Sequence, residues 1–130
     1  MTLKVSKALT DNRLIGALDT FRIYSGELGA PASADDPATG RLLVEFLKCH
    51  LEWNPLNSSF EKSRDDPWQS VAIDDGEALY FRFFSTAKPE ISIQGAVSMD
   101  AWGDLLMNNT ALRTGMPQFI DRVSIKEVVK

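Results

Sequence analysis

The chain has one cysteine and one histidine in 130 residues. A single cysteine, Cys49, excludes an intrachain disulfide and a zinc site built from several thiolates. A single histidine, His50, removes most metal-hydrolase and Ser-His-Asp schemes unless His50 itself is the base. The two are adjacent, and on a strand neighbours point to opposite faces, so they cannot pair as thiolate and imidazole without a bulge. A nucleophile elbow, a phosphate-binding loop and a dinucleotide fingerprint are all missing, and Gly26, Gly29 and Gly40 are too widely spaced to make one. Basic runs are also missing. The formal charge is −4, and no Lys/Arg cluster is long enough to follow a phosphate backbone, so nucleic acid is not an expected partner. Apolar runs such as "LLV" and "LYF" fall far short of the roughly 18–20 residues that cross a bilayer. The stretch "MTLKVSKALTDNRL" lacks the unbroken apolar core of a secretory signal, so a cytosol-like compartment is expected. The "NSS" (57–59) and "NNT" (108–110) sequons should then stay unmodified.

What is present is an ordinary globular composition, 44% hydrophobic and 25% charged, enough for a buried core at single-domain length. One domain over 1–130 is expected, with an N-terminal arm or helix over 1–20 and a β-sandwich over 21–130. "SKALTDNRLIGALDT" favours an α-helix from Ser6 to about Thr20, with Ser6 as N-cap and Leu14, Ile15 and Leu18 as its apolar stripe, against the weakening presence of Gly16. "FRIYS" (21–25) is a short strand. The Gly/Pro/Ala/Ser/Asp-rich segment 26–40 is a long surface loop. "RLLVEFLKCH" (41–50) fits a strand or a short helix. Strand is preferred, with Leu42, Val44 and Phe46 on one face. The polar segment 54–68, broken by Pro55 and Pro67, is a second long loop.

Strand signals then follow at short intervals: "SVAID", "EALYFRFFS", "ISIQGAVSM", "GDLLMN" and "QFIDRVSIKEVV". Ile91, Ile93, Val97 and Met99 share one face of a half-buried strand, with Ser92, Gln94 and Ser98 on the other. In the last strand Val123 and Ile125 point inward, and Arg122, Ser124 and Lys126 outward. Short strands without helical crossovers predict a mainly β chain, an antiparallel sandwich of jelly-roll-like or Ig-like type with one N-terminal α-helix.

The densest aromatic stretch, Tyr80 to Phe84, puts Leu79, Phe81 and Phe83 on one face and Tyr80, Arg82 and Phe84 on the other. One face belongs to the core. The second packs against the N-terminal helix, a loop or another chain, with Arg82 stacked or paired at its margin. Trp53, Trp68 and Trp102 lie in or beside loops, where each either plugs the end of the fold or offers a contact surface. Tyr80, Arg82, Phe84, Trp53, Trp68 and Trp102 are therefore the candidate interface residues. The acidic pairs Asp35–Asp36, Asp65–Asp66 and Asp74–Asp75 with Glu77 lack the alternate spacing of a calcium loop. They read as Asp-Pro or Asp-Gly turns, with "DDGE" a hairpin turn whose glycine takes positive φ. No catalytic residue, metal or cofactor is expected.

The ordered series "FRIYSGELGAPASADDPATGRLLVEF", "GEALYFRFF", "ISIQGAVS" and "GDLLMNNTALRTG", closed by a strand, resembles a group of small structural proteins of tailed bacteriophages and prophages. The likeness runs from about Asp11 to Val128. It departs in "CHLEWNPLNSSFEKSRDDPW", which is longer and more charged. The resemblance implies a non-catalytic virion component, assembled in the bacterial host cytoplasm. It would dock onto capsid, neck or tail subunits, in many copies or as a homo-oligomer, without nucleic acid or membrane as partner. The alternative is a small carbohydrate- or ligand-binding sandwich with Trp53, Trp68 or Trp102 as sugar platforms. An enzymatic reading would require His50 in a cleft beside a carboxylate.

Overall fold

A computed structural model describes residues 3–63, 65, 67–98, 105–107 and 110–126. Among them the chain runs β1 (Lys4–Val5), a 3-10 helix (Asn12–Ala17), β2 (Thr20–Ser25), β3 (Leu42–Phe46), β4 (Leu51–Asn54), β5 (Ser59–Lys62), β6 (Trp68–Val71), β7 (Gly76–Phe84), β8 (Ser92–Ser98), β9 (Leu105–Met107), β10 (Ala111–Leu112) and β11 (Pro117–Lys126). The protein is mainly β, as the two-residue periodicity predicts. Its strands join in one hydrogen-bonded path, β3-β2-β7-β8-β9-β11-β5-β4, with β1 added to β8, β10 to β7 and β6 to β11. The pairings are antiparallel except β8 with β9. The path curls back on itself: Ile73 N–H donates to Leu43 C=O at 2.8 Å and Ser70 Oγ to Glu45 C=O at 2.7 Å, which sets β6 beside β3.

Inward residues of β2, β7, β8 and β3 form one side of the core, joined by Ile15, Leu18, Trp68, Ile120, Val123 and Ile125. Phe21, Ile23, Val44, Phe46, Phe81, Phe83 and Ile93 are all buried, and Phe21 stacks on Phe81 at 4.6 Å. Gly95 pairs with Phe81 across β7–β8. A Cβ there would come within 2.7 Å of the Phe81 ring, so the glycine makes room for the ring.

The expected α-helix over 6–20 is replaced by the six-residue 3-10 helix. Asp11 is its cap, accepting Arg13 N–H at 2.9 Å. Ile15 and Leu18, both fully buried, are three apart, which suits three residues per turn. Ser6 caps nothing: its Oγ accepts Ser92 N–H at 2.9 Å and its N–H donates to Ser92 C=O at 3.0 Å.

The expected loop over 54–68 holds a hairpin instead. β4 and β5 pair Trp53 with Phe60 and Asn54 with Ser59, and Ser58 turns the chain at φ 51°. "DDGE" is not a hairpin turn, because β6 and β7 pair with other strands and Gly76 is not among the positive-φ glycines. Gly76 is small for a different reason: a Cβ would meet Leu43 Cδ2 at 3.0 Å and Arg41 Nη2 at 3.1 Å.

Two bulges flank the end of β2. Tyr24 pairs with Tyr80 and Ser25 with Ala78, passing over Leu79; Ile23 pairs with Val44 and Tyr24 with Leu42, passing over Leu43. Leu79 is thereby turned out to solvent instead of sharing the face of Phe81, and Leu43 is buried while Leu42 leaves the face of Val44 and Phe46. A third irregularity, between Ile120 and Arg122, shifts β11 from burying Gln118 and Ile120 to burying Val123 and Ile125. β8 is buried on both faces from Ser92 to Ala96, Ser92 and Gln94 included. Met99 lies outside the described residues.

Candidate functional site

The register brings one row of polar residues across the outer face of the sheet: Glu45, Arg22, Arg82, Gln94 and Lys4, each opposite the next. The row beside it is Tyr24, Tyr80 and Ala96, and the two tyrosine rings stack at 5.1 Å, 13° from parallel. On the other side Phe84 pairs with Thr20 and Ser92.

Segment 26–40 lies over this face. Tyr80 Oη accepts Thr39 N–H at 2.9 Å and donates to Thr39 C=O at 2.6 Å. Gln94 Nε2 and Lys4 Nζ both donate to Pro31 C=O, at 2.8 and 3.1 Å. Arg82 Nη2 reaches Ser33 C=O at 3.1 Å and Ser92 Oγ reaches Ala34 C=O at 3.2 Å. Pro31 and Ala34 are buried beneath the segment.

The neck of the loop is closed by Ser25 and Arg41. Their backbones bond at 3.0 Å, Arg41 N–H donates to Ser25 Oγ at 2.8 Å, and Ser25 Oγ donates to the Glu27 carboxylate. The Ser25 hydroxyl first, and the Arg41 guanidinium at 2.5 Å second, hold the Glu27 carboxyl down to about 2. Gly40 takes φ 80° here and a Cβ would strike Ser25 C=O.

The candidate interface residues divide. Tyr80, Arg82 and Phe84 come together on this covered face: Tyr80 is 1% exposed, and Arg82 and Phe84 are half-buried, with the Arg22 guanidinium 5.0 Å from the Phe84 ring centre. Arg82 is tied at the margin, Nε to Gln94 Oε1 at 2.9 Å. Trp68 is on the opposite, core side, 3% exposed against Phe21 and Phe83. Neither the Tyr80 nor the Trp68 ring is at the surface of the chain. Trp53 is: its indole, 42% exposed, packs edge-on against Phe60 at 5.0 Å. It lines a concavity of about 460 Å3 on the β4–β5 hairpin. Trp102 lies outside the described residues.

Two features escaped sequence reasoning. Leu56, at the hairpin tip, is 93% exposed. Its only signal was an apolar residue alone in "NPLNSS". A cleft of about 350 Å3 between the loop and the sheet, lined by Arg22, Arg82 and Phe84, depends on strand register and had no local signal.

Cys49 and His50 sit in the turn after β3, not on a strand, with Lys48 at φ 57°. Cys49 is buried and its N–H donates to Asp19 C=O at 2.8 Å, while His50 is exposed. The carboxylates of the Asp35–Asp36 and Asp74–Asp75 pairs serve local structure, while Asp66 lies outside the described residues. Asp35 accepts Lys7 N–H at 3.0 Å and Asp36 accepts Ser33 N–H at 3.1 Å. Asp74 pairs with Arg41 at 3.1 Å. Asp75 accepts the N–H and hydroxyl of Thr114, which hold its carboxyl below the ordinary carboxylate range. Among the described residues no three His, Cys, Asp or Glu side chains gather as metal ligands. No family model, curated protein or solved structure matches the chain.

Proposed function

We propose that the chain is a non-catalytic structural protein of a tailed-phage virion, a curled β-sandwich that docks onto capsid, neck or tail subunits through its outer surface. The observation that carries this reading is the β4–β5 hairpin, where Trp53 and the almost wholly exposed Leu56 stand out from a chain that buries its other described tryptophan. An aromatic anchor beside an aliphatic tip, rimmed by Glu52, Asn54 and Lys62, has the make-up of an interface centre with a polar rim. Exposed Val71 and Ile73 add apolar surface at the β6 edge. In a symmetric shell or tube such a modest contact is multiplied by repetition. Mass spectrometry of purified particles tests it: the chain at a fixed ratio to the major capsid or tail subunit supports the reading, and its absence from particles of the phage or prophage that encodes it removes it.

A second reading has one observation in its favour. An open indole face in a concavity that also holds Asn54, Asn57 and Glu52 is the arrangement a sugar-binding site needs, apolar platform beside hydrogen-bonding groups. Its polar groups are partly spent, since Glu61 accepts from Asn54 Nδ2, Asn57 Nδ2 and Ser59 Oγ. Saturable movement of the Trp53 Nε1–H resonance with an oligosaccharide would favour it over docking.

A further inference from the structure

Three rungs of the covered row are cations, Lys4, Arg22 and Arg82, and Glu45 is the one carboxylate in it. Like charges directly opposite one another on neighbouring strands repel, so Arg22 beside Arg82 is an unfavourable pair unless each is compensated. Arg22 is: its Nε meets Glu45 Oε2 at 2.5 Å and its guanidinium lies over Phe84. Arg82 is not. Among the described residues, half-buried Arg82 bonds only the neutral acceptors Gln94 Oε1 and Ser33 C=O, and no carboxylate stands within ion-pair distance of it. A guanidinium carries five N–H donors in a planar fork, and two are used here. The remainder belongs to a charge that lines the cleft of about 350 Å3 between the sheet and the 26–40 loop.

The other walls of the cleft narrow the choice of ligand. Phe84 and Pro89 supply apolar surface, while Asp35 and Glu90, both exposed, stand at its border. With Arg22 neutralised by Glu45, a phosphate dianion or a nucleic-acid backbone would meet two carboxylates, Asp35 and Glu90, for one uncompensated cation. A single carboxylate matches the Arg82 fork and its charge. The volume lies at the small end of ligand pockets. We propose that this cleft binds a small organic monocarboxylate, its carboxylate received by Arg82 and its carbon skeleton resting on Phe84 and Pro89.

The test uses the intact chain and follows the Arg82 Nε–H resonance by NMR. Benzoate is the probe, with benzamide as its neutral isostere and inorganic phosphate as the dianion. Saturable movement with benzoate, absent with benzamide and weaker with phosphate, is expected. Loss of the charge-assisted bonds in Arg82→Gln should weaken benzoate binding roughly 10- to 100-fold. Because Arg82 also holds the loop, a second variant separates binding from folding: Ala38→Trp, on an exposed loop position that lines the cleft, should fill the space and abolish the benzoate response while core resonances stay in place. An equal response to benzamide, tighter binding of phosphate, no saturable response, or undiminished binding in a folded Ala38→Trp would each overturn the proposal. The site is separate from the docking hairpin, so either can fail without the other.

Discussion

Gln118 is fully buried on β11, and among the described residues neither its Nε2 nor its Oε1 has a hydrogen-bond partner. Leaving a buried amide unpaired costs about 1–3 kcal/mol, and an apolar group of similar volume avoids that cost. Gln118→Leu is therefore expected to raise stability by about 1–2 kcal/mol in urea titration; a destabilised variant would show that the carboxamide is paired after all. Gly95 gives the opposite prediction. The Phe81 ring cannot move away from an added Cβ, because Phe21 stacks on it, so Gly95→Ala should lose about 1–3 kcal/mol by overpacking. Glu27 is the residue whose titration carries a direction. Its folded carboxyl is held at about 2, against an ordinary 4.5. The folded state thus favours its ionised form, and that contribution is present above the ordinary value and lost as pH falls through about 2. Glu27→Gln should be less stable than the parent near about pH 6, with the gap closing toward about pH 2. A gap that does not change with pH would place the effect elsewhere.

At the scale of elements, the 26–40 loop is a lid fixed over a sheet face, joined to it by hydrogen bonds from Tyr80, Arg82, Gln94, Ser92 and Lys4. Tyr80→Phe deletes both bonds to Thr39. It should cost about 1–2 kcal/mol and, in hydrogen exchange, deprotect Thr39 and its neighbours before the core strands. Equal exchange in both proteins would mean the hydroxyl does not hold the loop. That a loop was there was legible in its Gly, Pro and Asp residues; that it buries Pro31 and Ala34 was not, because small apolar residues among turn formers look the same whether solvated or packed. The strands were legible wherever β-branched and aromatic residues alternate, as in β7 and β8. The β5 strand was hidden because Phe60 is its only large apolar residue. The 3-10 helix was hidden because Ile15 and Leu18 also fit one stripe of an α-helix. The outward turn of Leu79 is not legible, because a bulge resets a two-residue period without any local mark.

For the whole molecule, the curl that brings β6 beside β3 leaves the β4–β5 hairpin and the loop-covered face as its two distinctive outer regions. The described candidate residues, all but Trp102, fall in both regions and in the core, and nothing in composition separates Trp53 from Trp68; only the fold shows which ring is open. The cation row was illegible for the same reason, since Lys4, Arg22, Glu45, Arg82 and Gln94 are neighbours through register alone. The most direct test of the docking account is the copy number of the chain in purified particles, measured by quantitative mass spectrometry for the parent and for Leu56→Asp. Leu56 is solvent-exposed, so the substitution leaves folding intact while placing a charge in the contact. The account predicts a fixed ratio to a major virion subunit for the parent and a severalfold loss for the folded variant; absence of the parent, or equal loading of both proteins, would contradict it.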